Sequence, residues 1–142
     1  MIDVTDKYNL FRFLKAQEQN YRIAINEIET GKKQSHWIWY IFPQLKGLGH
    51  SSFAEYYGIS GMDEAEAYLN HHVLGVRLRK ITEALLKHAG KSAVDIMGGT
   101  DALKLRSCMT LFDHVSPNDI FRKVIDTFFF GKTDDVTSSK LS

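Results

Sequence analysis

Hydrophobic residues recur at helical spacing along most of this chain. Leu74, Leu78, Ile81 and Leu85 fall at i, i+4, i+7 and i+11, a single stripe, and Arg77, Arg79, Lys80 and Glu83 fall off it. Tyr21, Ala24, Ile25 and Ile28 form an equally clean stripe, preceded by Leu10, Phe13 and Leu14. The pattern predicts helix from about Lys7 to Thr30, with Glu18, Gln19 and Asn20 as a break between two helices. Glu27 and Glu29 lie off the stripe and are expected to face water. Gly31 supplies a stop, with Lys32 and Lys33 beside the helix's negative end.

Further along, Leu105, Cys108, Met109 and Phe112 make one stripe. Ile120, Val124 and Phe128 run beside Phe121, Ile125 and Phe129, two adjacent stripes that predict a helix buried over a wide face. The polar residues at the helix starts predict caps. They are Asp63 with Glu66 as a capping box, Ser92, Thr100, Ser116 followed by Pro117, and Thr133 before a last helix to about Leu141. Gly90, the Gly98-Gly99 pair and Gly131 are the expected stops.

Ser35 to Gln44 is dense with aromatics and too short for periodicity to decide. Pro43 favours a short helix that stops before it, with a two- or three-stranded element as the alternative. Leu45 to Ser52 then reads as a loop, and Ser52 to Tyr57 as one more helical turn. The expected fold is all-α, a compact single-domain bundle of about six to eight helices, some short, over residues 1–142.

Composition narrows the classes. The 142 residues suit one domain, and 44% apolar with 25% charged residues is a globular balance. Eighteen basic against 17 acidic residues leave a net charge of +1, which argues against nucleic acid as a partner. Cys108 is the single cysteine, so no internal disulfide forms and the chain reads as cytoplasmic. Met1 to Leu10 carries Asp3 and Asp6 and has no apolar core, unlike a signal peptide. No apolar run approaches the ~20 residues of a membrane span.

One string stands out: His36-Trp37-Ile38-Trp39-Tyr40-Ile41-Phe42-Pro43-Gln44. With Gly47, Gly49, Ser51, Ser52 and Tyr57-Gly58-Ile59, it resembles the bacterial family called domain of unknown function 1810. The likeness continues through Glu64 to Leu69, His72 to Leu78, Asp101 to Phe112, and Phe129 to Asp134 with Thr137, nearly the whole chain. The family's pattern more often has Ser at Cys108, which speaks against an essential thiol. The resemblance implies an all-helical domain and no established activity. The calpastatin label sometimes attached to such proteins finds no support, since calpastatin's inhibitory segments are disordered and this pattern is that of a folded chain.

Candidate chemistry gathers between His36 and Tyr57. Trp39, Tyr40 and their neighbours Trp37 and Phe42 would stack on a flat ligand, with His36 and Gln44 bonding its edge. The competing reading is a buried anchor helix, which suits most of these rings and leaves His36 and Gln44 facing a cavity. Gly47, Gly49, Ser51 and Ser52 would cradle a phosphate, or form a plain turn and cap; the endings of a P-loop and a dinucleotide fingerprint are missing. Lys104, Arg106, Ser107 and Thr110 would face one groove as an anion or sugar site, unless this is a hydrophilic helix face whose hydroxyls bond back to the preceding turn.

Cys108 sits on an apolar stripe and is expected to be buried and inert. The adjacent pairs His71-His72 and Asp113-His114 point to different faces, so no metal site is expected, and no cofactor motif appears. Two functions follow. One is binding or hydrolysis of a nucleotide- or ADP-ribose-like small molecule, with Glu55 or Asp134 as nominal acids. A likeness in organisation to small helical glycosidases of ADP-ribose conjugates points the same way, by analogy. The other is a non-catalytic protein-interaction module. The expected partner is a small-molecule ligand, with neither nucleic acid nor membrane, and the expected state is a monomer or weak homodimer.

Overall fold

The computed structural model describes residues 6–141. The part of the N-terminal reading that rests on Met1 to Thr5, Asp3 included, lies outside them. Nine helices occur among the described residues: α1 (Phe11–Thr30), α2 (Ile38–Ile41), α3 (Ser52–Tyr57), α4 (Met62–Asn70), α5 (Leu74–Leu86), α6 (Ala93–Met97), α7 (Gly99–Val115), α8 (Ile120–Phe128) and α9 (Asp135–Leu141). The fold is all-α as expected. The strand alternative shrinks to a single parallel bridge between Leu45 and Ile59.

Helix α7 occupies the centre and packs against α2, α4, α6, α8 and α9. Leu105, Cys108, Met109, Leu111 and Phe112 are all buried, so the helix is apolar on more than one face, as a central helix must be. Helix α5 lies between α1 and α8. A row of rings crosses the core from α1 to α8: Phe13 to Tyr68 at 5.0 Å, Tyr68 to Phe112 at 5.6 Å, and Phe112 to Phe121 at 5.7 Å. Each fully buried large side chain stabilises the fold by ~1.5–3 kcal/mol. All four residues of the Leu74, Leu78, Ile81 and Leu85 stripe are buried in the same core. Gly75 permits the tight corner between α4 and α5, because a Cβ there would stand 1.9 Å from the Leu69 carbonyl oxygen.

Several expectations at helix boundaries are corrected. No break occurs at residues 18 to 20; α1 is continuous, and Asn20 bonds back to the Ala16 carbonyl. Glu27 does not simply face water. Its carboxylate accepts from the backbone N–H groups of Gln34 and Ser35, the Ser35 hydroxyl and the Trp37 indole. Asp63 does not cap α4. The helix starts at Met62, and Glu64 reaches back to the Ser60 N–H and hydroxyl instead.

Gly98, not Thr100, precedes α7, with no side-chain cap. Ser116 donates to Asp119, and Asp119 caps α8 at the Ile120 N–H while its carboxylate also pairs with Arg79 at 2.8 Å. Asp134, not Thr133, meets the start of α9, accepting from the Thr137 N–H and hydroxyl. Helix α5 ends at Leu86, ahead of Gly90. The stops at Gly31 and Gly131 stand, both glycines having positive φ. Among the described residues no helix is long and apolar enough to cross a membrane.

Candidate functional site

The aromatic string folds as a single helical turn, α2, anchored at both ends. Trp37 precedes it, fully buried, its indole N–H donating to Glu27 at 2.9 Å. Burial opposes the Glu27 charge, but the four donors around it prevail and hold its carboxyl at about 2. Ile38, Ile41 and Phe42 point into the core, and Pro43 follows the turn. Both indoles lie under lysines, Lys33 4.8 Å from the Trp37 ring and Lys104 4.2 Å from the Trp39 ring. Asp101 pairs with both lysines, at 2.7 Å and 3.3 Å, tying this segment to α7. Lys33 therefore serves this junction, beyond the end of α1 where the sequence placed it.

The chain then closes a loop. The Lys46 N–H donates to the Ile59 carbonyl, and the Ile59 N–H to Gln44, both at 2.8 Å. Gly58 is needed at this closure, since a Cβ there would lie 2.7 Å from the Lys46 Cα. Within the loop Ser51 caps α3 by accepting from the Ala54 N–H at 3.1 Å. Tyr57 is the hub of the loop's rings: it stacks on Tyr40 at 5.3 Å and meets Tyr56 edge-on at 4.8 Å. Burial, and then the neighbouring phenols, push the Tyr40 and Tyr57 hydroxyls above the usual tyrosine range, so both are neutral donors at pH 7.

Two concavities flank this loop. The first is lined by Trp39, Gln44, Leu48, Gly49 and Tyr57 among others and has a volume of about 10 Å³. That is room for one water-sized group, too little for a ring. The Gln44 amide nitrogen is shielded from solvent and has no hydrogen-bond partner among the described residues.

The second is a groove of about 590 Å³ between the start of α1, α3 and the segment before α4. Its floor is the Arg12–Glu64 pair at 2.7 Å, with both side chains buried. Arg12 donates to the carbonyls of Tyr8, Asn9, Tyr56 and Gly58 and to the Glu64 carboxylate. All five guanidinium protons are thereby used, so Arg12 is a staple and offers no free donor. The walls carry Tyr8, Ser52, Glu55, Tyr56 and Lys46. Neither the Glu55 carboxylate nor the Lys46 ammonium has an ion-pair or hydrogen-bond partner among the described residues.

The residues singled out in the sequence thus fall in different places. Trp39, Gln44 and Gly49 share the small pocket, and Ser52 and Glu55 line the groove. Tyr40 packs on Tyr57, while His36 and Gly47 are exposed. The Ser51 hydroxyl caps α3. The Ser107 hydroxyl donates to Leu103 at 3.2 Å, and that of Thr110 donates to Arg106 at 2.8 Å and accepts from the Asp134 N–H. These three hydroxyls are engaged with backbone, and Lys104 is engaged with Asp101 and Trp39. Asp134 is occupied by Thr137. Cys108 is fully buried, and burial pushes its thiol well up, which leaves it un-ionised. Among the described residues no group of three or more His, Cys, Asp or Glu is placed to hold a metal ion.

Sequence reasoning missed Tyr8, Arg12, Lys46, Tyr56, Ser60 and Glu64, which carry the groove. One signal was available: Arg12 and Glu64 stand beside the apolar positions Phe13 and Ala65, where a charge that becomes buried needs a partner.

Comparisons with known proteins agree on the whole-chain pattern. The family described as "Protein of unknown function (DUF1810)" matches residues 7–141. A crystal structure of a conserved hypothetical protein from Mycobacterium tuberculosis is similar at a TM-score of 0.94 and 42% identity, over 96% of this chain and 98% of that one. No curated protein matches the chain.

Proposed function

The chain belongs to the family described as "Protein of unknown function (DUF1810)", which assigns no activity, and we propose that it binds a nucleotide- or ADP-ribose-like small molecule in the groove beside α3. What supports this reading is the groove itself. Its volume of about 590 Å³ lies within the ~300–1,000 Å³ usual for ligand sites. Its walls combine aromatic surface, at Tyr8 and Tyr56, with a cation and a carboxylate, at Lys46 and Glu55, that have no partner among the described residues. The rings would lie against a nucleobase, and Lys46 and Ser52 would meet oxygen atoms. If the ligand is hydrolysed, Glu55 is the acid in reach, since Asp134 is committed to Thr137.

Thermal-shift measurements with AMP, ADP and ADP-ribose test the reading. Saturation at 100 times Kd adds ~2.7 kcal/mol to stability. Stabilisation that disappears in Tyr56→Ala, a substitution at a side chain 56% exposed, is the expected result. No shift with any of these ligands at millimolar concentration would defeat it. A second reading, a protein-interaction module, draws support from Phe53 and Tyr56, which are both more than half exposed on α3.

A further inference from the structure

A further cavity, of about 340 Å³, adjoins the groove. The two share Lys46 and Ser60, which form the ridge between them. Beyond the ridge, Lys140 and Leu141 of α9 close the far wall against Gly61 and Met62. The Lys140 Nζ lies 3.5 Å from the position a Cβ on Gly47 would take, so it sits over the turn that follows Lys46. Like Lys46, it has no ion-pair or hydrogen-bond partner among the described residues.

The two concavities differ in charge. The groove is walled by Glu55 and floored by Glu64, whose charge Arg12 neutralises. Among the described residues, the adjoining cavity has two lysines and no Asp or Glu in its lining. Two ammonium groups on one small cavity repel each other, and an anion between them turns that repulsion into attraction. Lysine binds phosphate as a point charge and needs no planar fork to do so.

We infer that this cavity holds the phosphate or diphosphate group of the ligand, with Lys46 and Lys140 as its counter-charges. The ligand's ring end lies across the ridge in the groove. The inference rests on the groove reading and sharpens it: the ligand class becomes a nucleoside phosphate, entered with its anionic end toward α9.

Titration calorimetry on the full chain with adenosine, ADP and inorganic pyrophosphate separates the two claims. Pyrophosphate is expected to bind alone, and ADP to bind at least tenfold more tightly than adenosine. Lys140→Ala is expected to abolish that advantage and leave adenosine affinity unchanged, and Lys140→Arg to restore most of it. Lys140 is exposed, and unchanged circular dichroism would establish that each variant folds. Equal binding of adenosine and ADP, or an ADP advantage that survives Lys140→Ala, would overturn the inference and leave the groove reading standing. Binding of pyrophosphate without adenosine or ADP, or binding of none of the three, would overturn both.

Discussion

Replacing Arg12 by methionine removes the floor of the groove while roughly keeping its volume. In the folded chain this side chain holds four backbone carbonyls and one carboxylate, and both members of the ion pair are buried, with 7% and 4% side-chain exposure. Arg12→Met leaves the Glu64 carboxylate with the two Ser60 donors alone. Breaking a buried pair from one side costs ~3–5 kcal/mol, because the remaining charge stays desolvated. A loss near 4 kcal/mol lowers Tm by roughly 10–15 °C in a chain of this size. The decisive variant is the double one. In the natural background Glu64→Gln strands the Arg12 charge and destabilises. In the Arg12→Met background it removes a stranded charge, so it should restore part of the stability. Urea titration followed by circular dichroism measures all four proteins. Arg12→Met costing under ~1 kcal/mol, or Glu64→Gln destabilising equally in both backgrounds, would refute this account of the pair.

Two further substitutions test the scaffold around the site. The Glu27 carboxyl is held at about 2, against an ordinary 4.5, so its contribution is complete above pH 4.5 and is lost as pH falls toward 2. Glu27→Gln should therefore destabilise at pH 7 and flatten the acid limb of the stability curve; a curve parallel to that of the natural chain would contradict the network. Gly75→Ala should cost ~2 kcal/mol or more despite alanine's ~1 kcal/mol helical advantage, because its Cβ meets the Leu69 carbonyl at 1.9 Å. A neutral or stabilising result in urea titration would show that the corner yields freely.

The helical stripes were legible because apolar periodicity is a local property. Leu74 to Leu85, Leu105 to Phe112 and Ile120 to Phe129 needed only the 3.6-residue turn to be found, and each packs into the core as its spacing indicates. Caps were read less well. Asp63, Thr100 and Ser116 are all good cap residues by type, but the helix start depends on where the chain enters. Gly61 precedes α4 with no side-chain cap, Glu64 bonding back to Ser60 and across to Arg12, and Asp119 caps α8 with Ser116 and Arg79 on the same carboxylate. The hydroxyls of Ser107 and Thr110 look like site residues in the sequence, and nothing local distinguishes that role from the bond each makes to the turn before it.

By itself the sequence determined the helical class, the face each long helix buries and the family resemblance. Tertiary structure decided the destinations of the charges. Arg12 meets Tyr56, Gly58 and Glu64, and Lys46 meets the cavity walled by Lys140, across separations in sequence that no helical period spans. A buried charge must find its partner wherever the packed helices bring one. The groove exists only where the loop closed by Leu45 and Ile59 is set against the start of α1.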